Sequence, residues 1–324
     1  MMDLKGVSVG FGAAYALRDV SVSIARGERL GIVGESGSGK SMLGLTMMGM
    51  VPDAARVEGA IALDGAQLAR ASERVWRRHR ARKVAMIFQE PMAALNPLQR
   101  LGETVMEPLQ VHLGLSRAAA RDRTLELFAE VGIPDPEARL RQYPHEISGG
   151  QRQRVLIALA LTCDPSLLIA DEPTTALDAH VALRIIDLLV NLAASRQMAL
   201  VFISHDLAAV ARATERILVM YGGEVIETGP TPQVLQDPQH PYTKGLLGAR
   251  PGIGGETPGR GPDGRRKRLP TIPGTVPPLS ALPAGCRFSG RCPVELPHCA
   301  RVRPEPHRVS GNRIATCHLL GGRA

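Results

Sequence analysis

A chain of 324 residues, 44% of them hydrophobic, is long enough for one large domain with an extension and apolar enough to build its core. No run approaches the roughly 18 apolar residues that span a bilayer, and the opening MMDLKGVSVGF lacks the apolar stretch of a secretory signal. A cytoplasmic protein is therefore expected, one that reaches any membrane through other proteins. The net charge of +8 is confined to the end: residues 1–250 carry 27 basic and 27 acidic side chains, and residues 251–324 carry 12 and 4.

RLGIVG (29–34) has the length and apolar content of a buried strand, and a helix is expected from Gly39 to about Met50. Between them runs Gly34, Glu35, Ser36, Gly37, Ser38, Gly39, Lys40, Ser41, which matches G-x-x-x-x-G-K-[ST]. Glycines let such a loop wrap phosphate oxygens with backbone N–H groups, and the helix start adds its positive dipole end. Lys40 is expected on the β- and γ-phosphates and the Ser41 hydroxyl on Mg²⁺. A phosphate loop alone does not name the reaction.

VEGAIALDGAQL alternates as strands do around an Asp64-Gly65 turn, and KVAMIFQ (83–89) is a second buried-strand run. Residues 91–145 look mostly helical and are expected to form an insertion between two core strands. EISGGQRQRVLIALAL follows: Ser148 suits a helix cap, and Gly149 and Gly150 leave bare N–H groups at the helix start, a second anion site. One nucleotide does not need two such sites on one chain. Two copies facing head to tail do need them, each helix start covering the γ-phosphate on the other's loop.

SLLIADE (166–172) ends in Asp171, suited to Mg²⁺, and Glu172, suited to polarising the attacking water. ALVFISH (199–205) is a further strand ending in His205, and ILVMYGGEVIETG is a hairpin about Gly222-Gly223. Alternating strands and helices of this kind build parallel α/β architecture. Residues 251–283 hold eight prolines and many glycines and are expected to be a linker without regular structure. Its basic run, Arg265, Arg266, Lys267 and Arg268, invites nucleic acid or anionic lipid, but no aromatic residue is interleaved, so a solvated linker is the simpler reading.

Of five cysteines, Cys163 sits in an apolar helical run and reads as core; Cys286, Cys292, Cys299 and Cys317 cluster near the end with spacing C-x₅-C-x₆-C-x₁₇-C. In a cytoplasmic protein this points to a metal rather than to disulfides. Zinc sites usually show tighter pairs, whereas iron–sulfur clusters take four thiolates at several spacings; His298, His307 and His318 keep zinc open.

These motifs, in this order, resemble the nucleotide-binding subunits of ABC transporters over about residues 3–250. GESGSGKS resembles the Walker A loop, LLIADE the Walker B strand and ISGGQ the LSGGQ signature, with Ile147 in place of Leu and with Gln151 closing it. The resemblance implies that Gln89 contacts Mg²⁺ and water, that Asp178 belongs to the D-loop, that His205 contacts the γ-phosphate, and that Phe11 (or Tyr15) stacks on adenine. It implies an α/β fold: a RecA-like P-loop core in residues 1–250, with an antiparallel β subdomain and a helical subdomain at about 90–160 whose Q-loop side receives a membrane subunit. A linker at 251–283 and a cysteine-containing extension at 284–324 follow.

QEPMAALNPLQRLGE, GPTPQVLQDPQHPYTKGLL and PGTVPPLSALPAGCRFSGRCP are similar to the di- and oligopeptide importer group. That implies ATP and Mg²⁺, a [4Fe–4S] cluster on the four tail cysteines with zinc as the alternative, and a peripheral place on the cytoplasmic face of the inner membrane. The implied partners are a second ATPase subunit, two membrane permeases and an extracytoplasmic solute-binding protein. An importer of nickel or another small solute, and a soluble ABC ATPase acting on nucleic acid or ribosomes, are the rival readings. The single compact cassette, without large insertions, weighs against the soluble one.

Overall fold

The computed structural model describes residues 1–89, 94–175, 177–249 and 271–321. The basic run at 265–268, most of the expected linker, the start of the helical insertion at 90–93 and Ala176 lie outside the described residues.

Strands β1 (Met2–Phe11), β2 (Ala14–Ile24), β4 (Arg56–Leu63) and β5 (Ala66–Gln67) form an antiparallel sheet in the order β2-β1-β4-β5. The β4–β5 turn falls on Asp64 and Gly65, whose φ values of +48° and +84° are the left-handed pair a two-residue hairpin requires.

The second sheet holds β3 (Arg29–Val33), β6 (Val84–Ile87), β7 (Leu167–Asp171), β8 (Ala199–Ile203), β9 (Arg216–Tyr221), β10 (Glu224–Pro230), β11 (Pro306–Ser310) and β12 (Arg313–Thr316). Its order is β11-β12-β10-β9-β3-β8-β7-β6. The stretch β9-β3-β8-β7-β6 is parallel, and the other three strands are added antiparallel.

Because side chains alternate across a strand, each central strand feeds two cores. Leu167, Ile169, Val201 and Ile203 face the four-stranded sheet and helix α1 (Lys40–Met47); Leu168, Ala170, Leu200 and Phe202 face the helices on the other side. Both faces are buried, so these strands read as continuous apolar runs rather than as alternating ones. Each fully buried Leu, Ile or Phe contributes about 1.5–3 kcal/mol.

The remaining helices are α2 (Glu73–His79), α3 (Leu101–Leu113), α4 (Arg117–Glu130), α5 (Pro136–Arg139), α6 (Gly149–Ala160), α7 (Ala179–Ser195), α8 (Leu207–Ala213), α9 (Thr231–Gln236) and α10 (Pro241–Gly248). Helices α3 to α6 fall between β6 and β7, within the stretch expected to be helical. Helix α7 shows why sequence becomes packing here: Ile185, Ile186, Leu189, Leu192 and Ala193 recur at helical spacing and are its buried face.

Helix α1 is shorter than the sequence pattern suggests. It stops at Met47, and Gly49 (φ +61°) turns the chain away.

The cysteine segment does not stand beside the core. Strand β12 pairs with β10 through Glu227–Ala315 and Thr228–Ile314, extending the main sheet. Residues 271–283 hold no helix or strand beyond a single 3-10 turn at Leu279–Ala281. Among the described residues no helix is long and apolar enough to cross a membrane.

Candidate active site

Neighbouring parallel strands end on one side of the sheet, and the chain just past each end carries a polar motif. After β3 comes the loop from Gly34 to Ser41; after β8, Ser204 and His205; after β7, Glu172; after β6, Gln89. This is where an open α/β sheet binds ligands, because the carboxyl ends leave a crevice. Register brings the ends level: Asp171 pairs with Ile203, the Glu172 N–H donates to the Ile203 carbonyl at 2.9 Å, and the Ser204 N–H donates to the Ile32 carbonyl at 3.1 Å. The strands are shorter than their apolar runs: β6 ends at Ile87, so Gln89 lies two residues beyond it and is exposed.

Glu35, Ser36, Gly37, Lys40, Ser41, Gln89, Glu172 and His205 line one cavity of ≈ 680 Å³. Gly39, the residue before α1, has φ +98°, and a Cβ there would meet the Ala16 carbonyl at 3.0 Å. Any L side chain is strained at that point, which is why the loop needs glycine. A Cβ on Gly37 would meet nothing within 4 Å, so the loop's mouth is open. Ser38 is buried, and its carbonyl accepts the Gly223 N–H at 3.0 Å, tying the loop to the β9–β10 turn.

The Lys40 ammonium folds back on the loop, donating to the Gly34 carbonyl at 2.8 Å and the Glu35 carbonyl at 3.0 Å. Burial pulls its pKa below the usual lysine range, against the opposing pull of Glu172, Asp171 and Glu35. Asp171 is 4% exposed, and burial raises its pKa although Ser41 hydrogen-bonds to it. Its Oδ1 is buried without a hydrogen-bond partner, which is unfavourable unless something else satisfies it. An orphaned carboxylate oxygen beside a hydroxyl is a hard-oxygen donor set of the kind Mg²⁺ takes, and the open loop above it suits a phosphate chain. The residues therefore fit a Mg²⁺–nucleotide.

Glu172 takes φ +49°, an uncommon conformation for a residue with a side chain. Its Oε1 lies 2.8 Å from His205 Nδ1 and accepts the His205 backbone N–H at 3.0 Å. Its Oε2 accepts from the Thr175 hydroxyl at 3.3 Å and the Ser204 hydroxyl at 3.5 Å. Thr175 and Ser204 were not singled out in the sequence; a threonine and a serine carry no signal until the fold sets them beside a carboxylate.

The second group of motif residues lies apart. Ser148 caps α6, accepting the Gln151 N–H at 3.3 Å while Gln151 Oε1 accepts the Ser148 N–H at 3.1 Å. Asp178 caps α7 by accepting the Val181 N–H at 2.9 Å. These two helix starts touch each other: a Cβ on Gly150 would meet Val181 Cγ1 at 2.8 Å, and one on Gly149 would meet Leu177 at 3.6 Å. Ser148 and Gly149 are exposed, and neither they nor Gly150, Gln151 or Asp178 line the loop's cavity. Phe11, at the end of β1, is partly buried against the four-stranded sheet's core and is likewise outside that cavity. The alternative, Tyr15, accepts a hydrogen bond from Arg56 at 3.2 Å.

Cys286, Cys292, Cys299 and Cys317 are free thiols that line one small cavity together with His240 and His318. Burial pushes the Cys286 thiol up to about 11 and moves Cys292 and Cys317 in the same direction. Among the described residues no group of three or more His, Cys, Asp or Glu side chains is arranged to hold a metal ion. His298 packs edge-on against His318 at 4.5 Å between ring centroids.

A glycine loop on a helix start, a lysine within it, and an acidic strand end beside it define a phosphate-loop nucleoside triphosphatase. A family model described as ABC transporter matches residues 17–175, and one described as the oligopeptide/dipeptide transporter C-terminal region matches residues 226–299. The chain is 43% identical over 323 residues to the dipeptide transport ATP-binding protein DppD of Haemophilus influenzae, covering 98% of this chain and 95% of that one. Its identity to the DppD protein of Escherichia coli is also 43%, over 98% and 96% of the two chains. A dimeric ATP-binding cassette solved in a post-hydrolysis state with ADP and Pi superposes with a TM-score of 0.63 at 32% identity, covering 71% of this chain and 99% of that one. The chain belongs to the ABC transporter family and is an ATPase.

Proposed function

We propose that this chain is the ATP-hydrolysing subunit of an importer of di- or oligopeptides. The observation that carries the reading is the oligopeptide/dipeptide transporter C-terminal match over residues 226–299, which takes in Cys286, Cys292 and Cys299. The near full-length similarity to dipeptide transport ATP-binding proteins supports it. The subunit works with a second ATPase, two membrane permeases and an extracytoplasmic solute-binding protein, and sits peripherally on the cytoplasmic face of the inner membrane. Its parts are a cassette at 1–250 with a helical subdomain near 90–160, a linker at 251–283 and an extension at 284–324.

In this reading the backbone of residues 34–41 cradles the phosphates and Lys40 leaves its carbonyl partners for the β- and γ-phosphates. Ser41, Gln89 and Asp171 would hold Mg²⁺, which would neutralise charge on the phosphate oxygens. Glu172 accepts a proton from the attacking water, and its hydrogen bonds to His205, Thr175 and Ser204 fix the carboxylate's direction. His205, held at Nδ1 by Glu172, contacts the γ-phosphate. Phe11 stacks on adenine. Ser148, Gly149, Gly150 and Gln151, with Asp178, close over the nucleotide on the partner's loop; the exposure of Ser148, Gly149 and Asp178 and the separation of all five from the chain's own loop support that division of labour.

The four tail thiols bind a [4Fe–4S] cluster that cross-links the extension. Their convergence on one cavity supports a ligand shared by all four.

Reconstitution with permeases and binding protein in vesicles tests the transport reading. ATP hydrolysis should rise when peptide is loaded and stay low with nickel. Equal stimulation by nickel, or none by any peptide, would overturn the substrate class.

A further inference from the structure

The chain beyond the cassette reaches the nucleotide cleft through residues 274–276, and the extension holds it there. Arg291, one residue before Cys292, is 7% exposed and uses all five of its N–H donors. Nη1 donates to Glu35 Oε2 at 2.7 Å and to the Tyr221 hydroxyl at 3.1 Å; Nη2 donates to Glu35 Oε1 at 3.1 Å and to the Gly274 carbonyl at 3.0 Å; Nε donates to the Pro273 carbonyl at 2.7 Å. Glu35 is the second residue of the phosphate loop, and its N–H donates to the Tyr242 hydroxyl at 2.7 Å. Gly274, Thr275 and Val276 line the same cavity as Lys40, Ser41, Gln89, Glu172 and His205.

A bidentate arginine–carboxylate pair fixes direction as well as distance. Here it clamps the loop on one side and a returning stretch of tail on the other, with Tyr221 and Tyr242 packed edge to face at 4.7 Å behind it. We propose that Arg291 is a positioning residue for nucleotide binding: from outside the cassette it holds Glu35, and so the phosphate loop, while pinning residues 273–276 as a wall of the ATP cleft. The phosphate loop of this ATPase is thus completed by the cysteine extension. None of these hydrogen bonds goes to Glu172 or His205, so ATP affinity depends on Arg291 more than the chemical step does. The inference rests on the cleft being the ATP site.

The test is ATP hydrolysis by the assembled transporter, with binding of a fluorescent ATP analogue. Arg291→Met should raise KM for ATP at least fivefold with kcat within twofold. Arg291→Lys, which keeps the charge but loses the fork, should recover only part of the loss. Glu35→Gln should shift KM in the same direction, and adding it to Arg291→Met should add little, because both remove one contact. It also reads that contact if Arg291→Met does not fold. Arg303→Met is the control: it breaks the tail's pairs with Asp19 and Glu224 elsewhere and should leave KM alone. Wild-type KM in Arg291→Met or Glu35→Gln, or an equal rise in Arg303→Met, would overturn the proposal. Lys40→Ala tests the cleft itself: binding that survives it defeats the site assignment, a different outcome from any of these.

Discussion

Glu172 Oε1 lies 2.8 Å from His205 Nδ1 and takes the His205 backbone N–H at 3.0 Å, so one carboxylate oxygen grips the histidine twice. The two residues are 33 apart in sequence and meet because β7 and β8 are adjacent, parallel and in register.

If that carboxylate polarises the attacking water, Glu172→Gln should slow hydrolysis by about 10²–10⁴-fold while ATP still binds. Single-turnover hydrolysis in the assembled complex checks this, together with nucleotide retention on a sizing column. Turnover near wild type would remove Glu172 from the role.

The two anion sites predict opposite defects. Ser148→Arg should impair hydrolysis of nucleotide held by the partner's loop, and Lys40→Ala should impair binding on this chain. Ser148→Ala separates bulk from capping, since it loses only the Gln151 contact, a change of about 1 kcal/mol in helix stability. Nucleotide occupancy measured site by site decides. A Ser148→Arg defect confined to this chain's own nucleotide would rule out the head-to-tail arrangement.

Asp171 carries a trade-off between stability and binding. Burial raises its folded pKa, so the folded chain holds a proton more tightly than the unfolded one. The associated stability is present below the unfolded carboxylate value of about 4 and is lost as pH rises through the folded value. Above that folded value the ionised side chain is a burden on the nucleotide-free protein. Asp171→Asn should raise its melting temperature, by a margin that grows as pH rises from about 4 through the folded value, and should abolish stabilisation by Mg²⁺–ATP. Thermal melts at several pH values, with and without Mg²⁺–ATP, check both halves.

For the tail, anaerobically purified protein should be brown, with broad absorbance near about 400 nm from sulfur-to-iron charge transfer. Cys292→Ser should bleach it and loosen the extension. Colourless protein with one zinc per chain would select zinc instead, and metal-free protein would leave four unliganded thiols.

The sequence by itself determined the phosphate loop, the acidic strand end, the capped signature helix and the order of strands and helices. These are local: a glycine that must take a positive φ, a serine that caps its own helix and an apolar run that fills a strand are each written within a few neighbouring residues. The hairpins at Asp64-Gly65 and Gly222-Gly223 were legible for the same reason.

What only the tertiary structure decided are the meetings of residues far apart in the chain. Nothing near Arg291 announces that its guanidinium will close on Glu35, 256 residues away. Nor does any motif announce that β12 will join the edge of the sheet at β10. Nor do Thr175 and Ser204 signal a bond to Glu172 until strand register sets them together. Hydrogen-bonding side chains act over about 3 Å, so where a distant partner is involved the chain must fold before chemistry can be read from it.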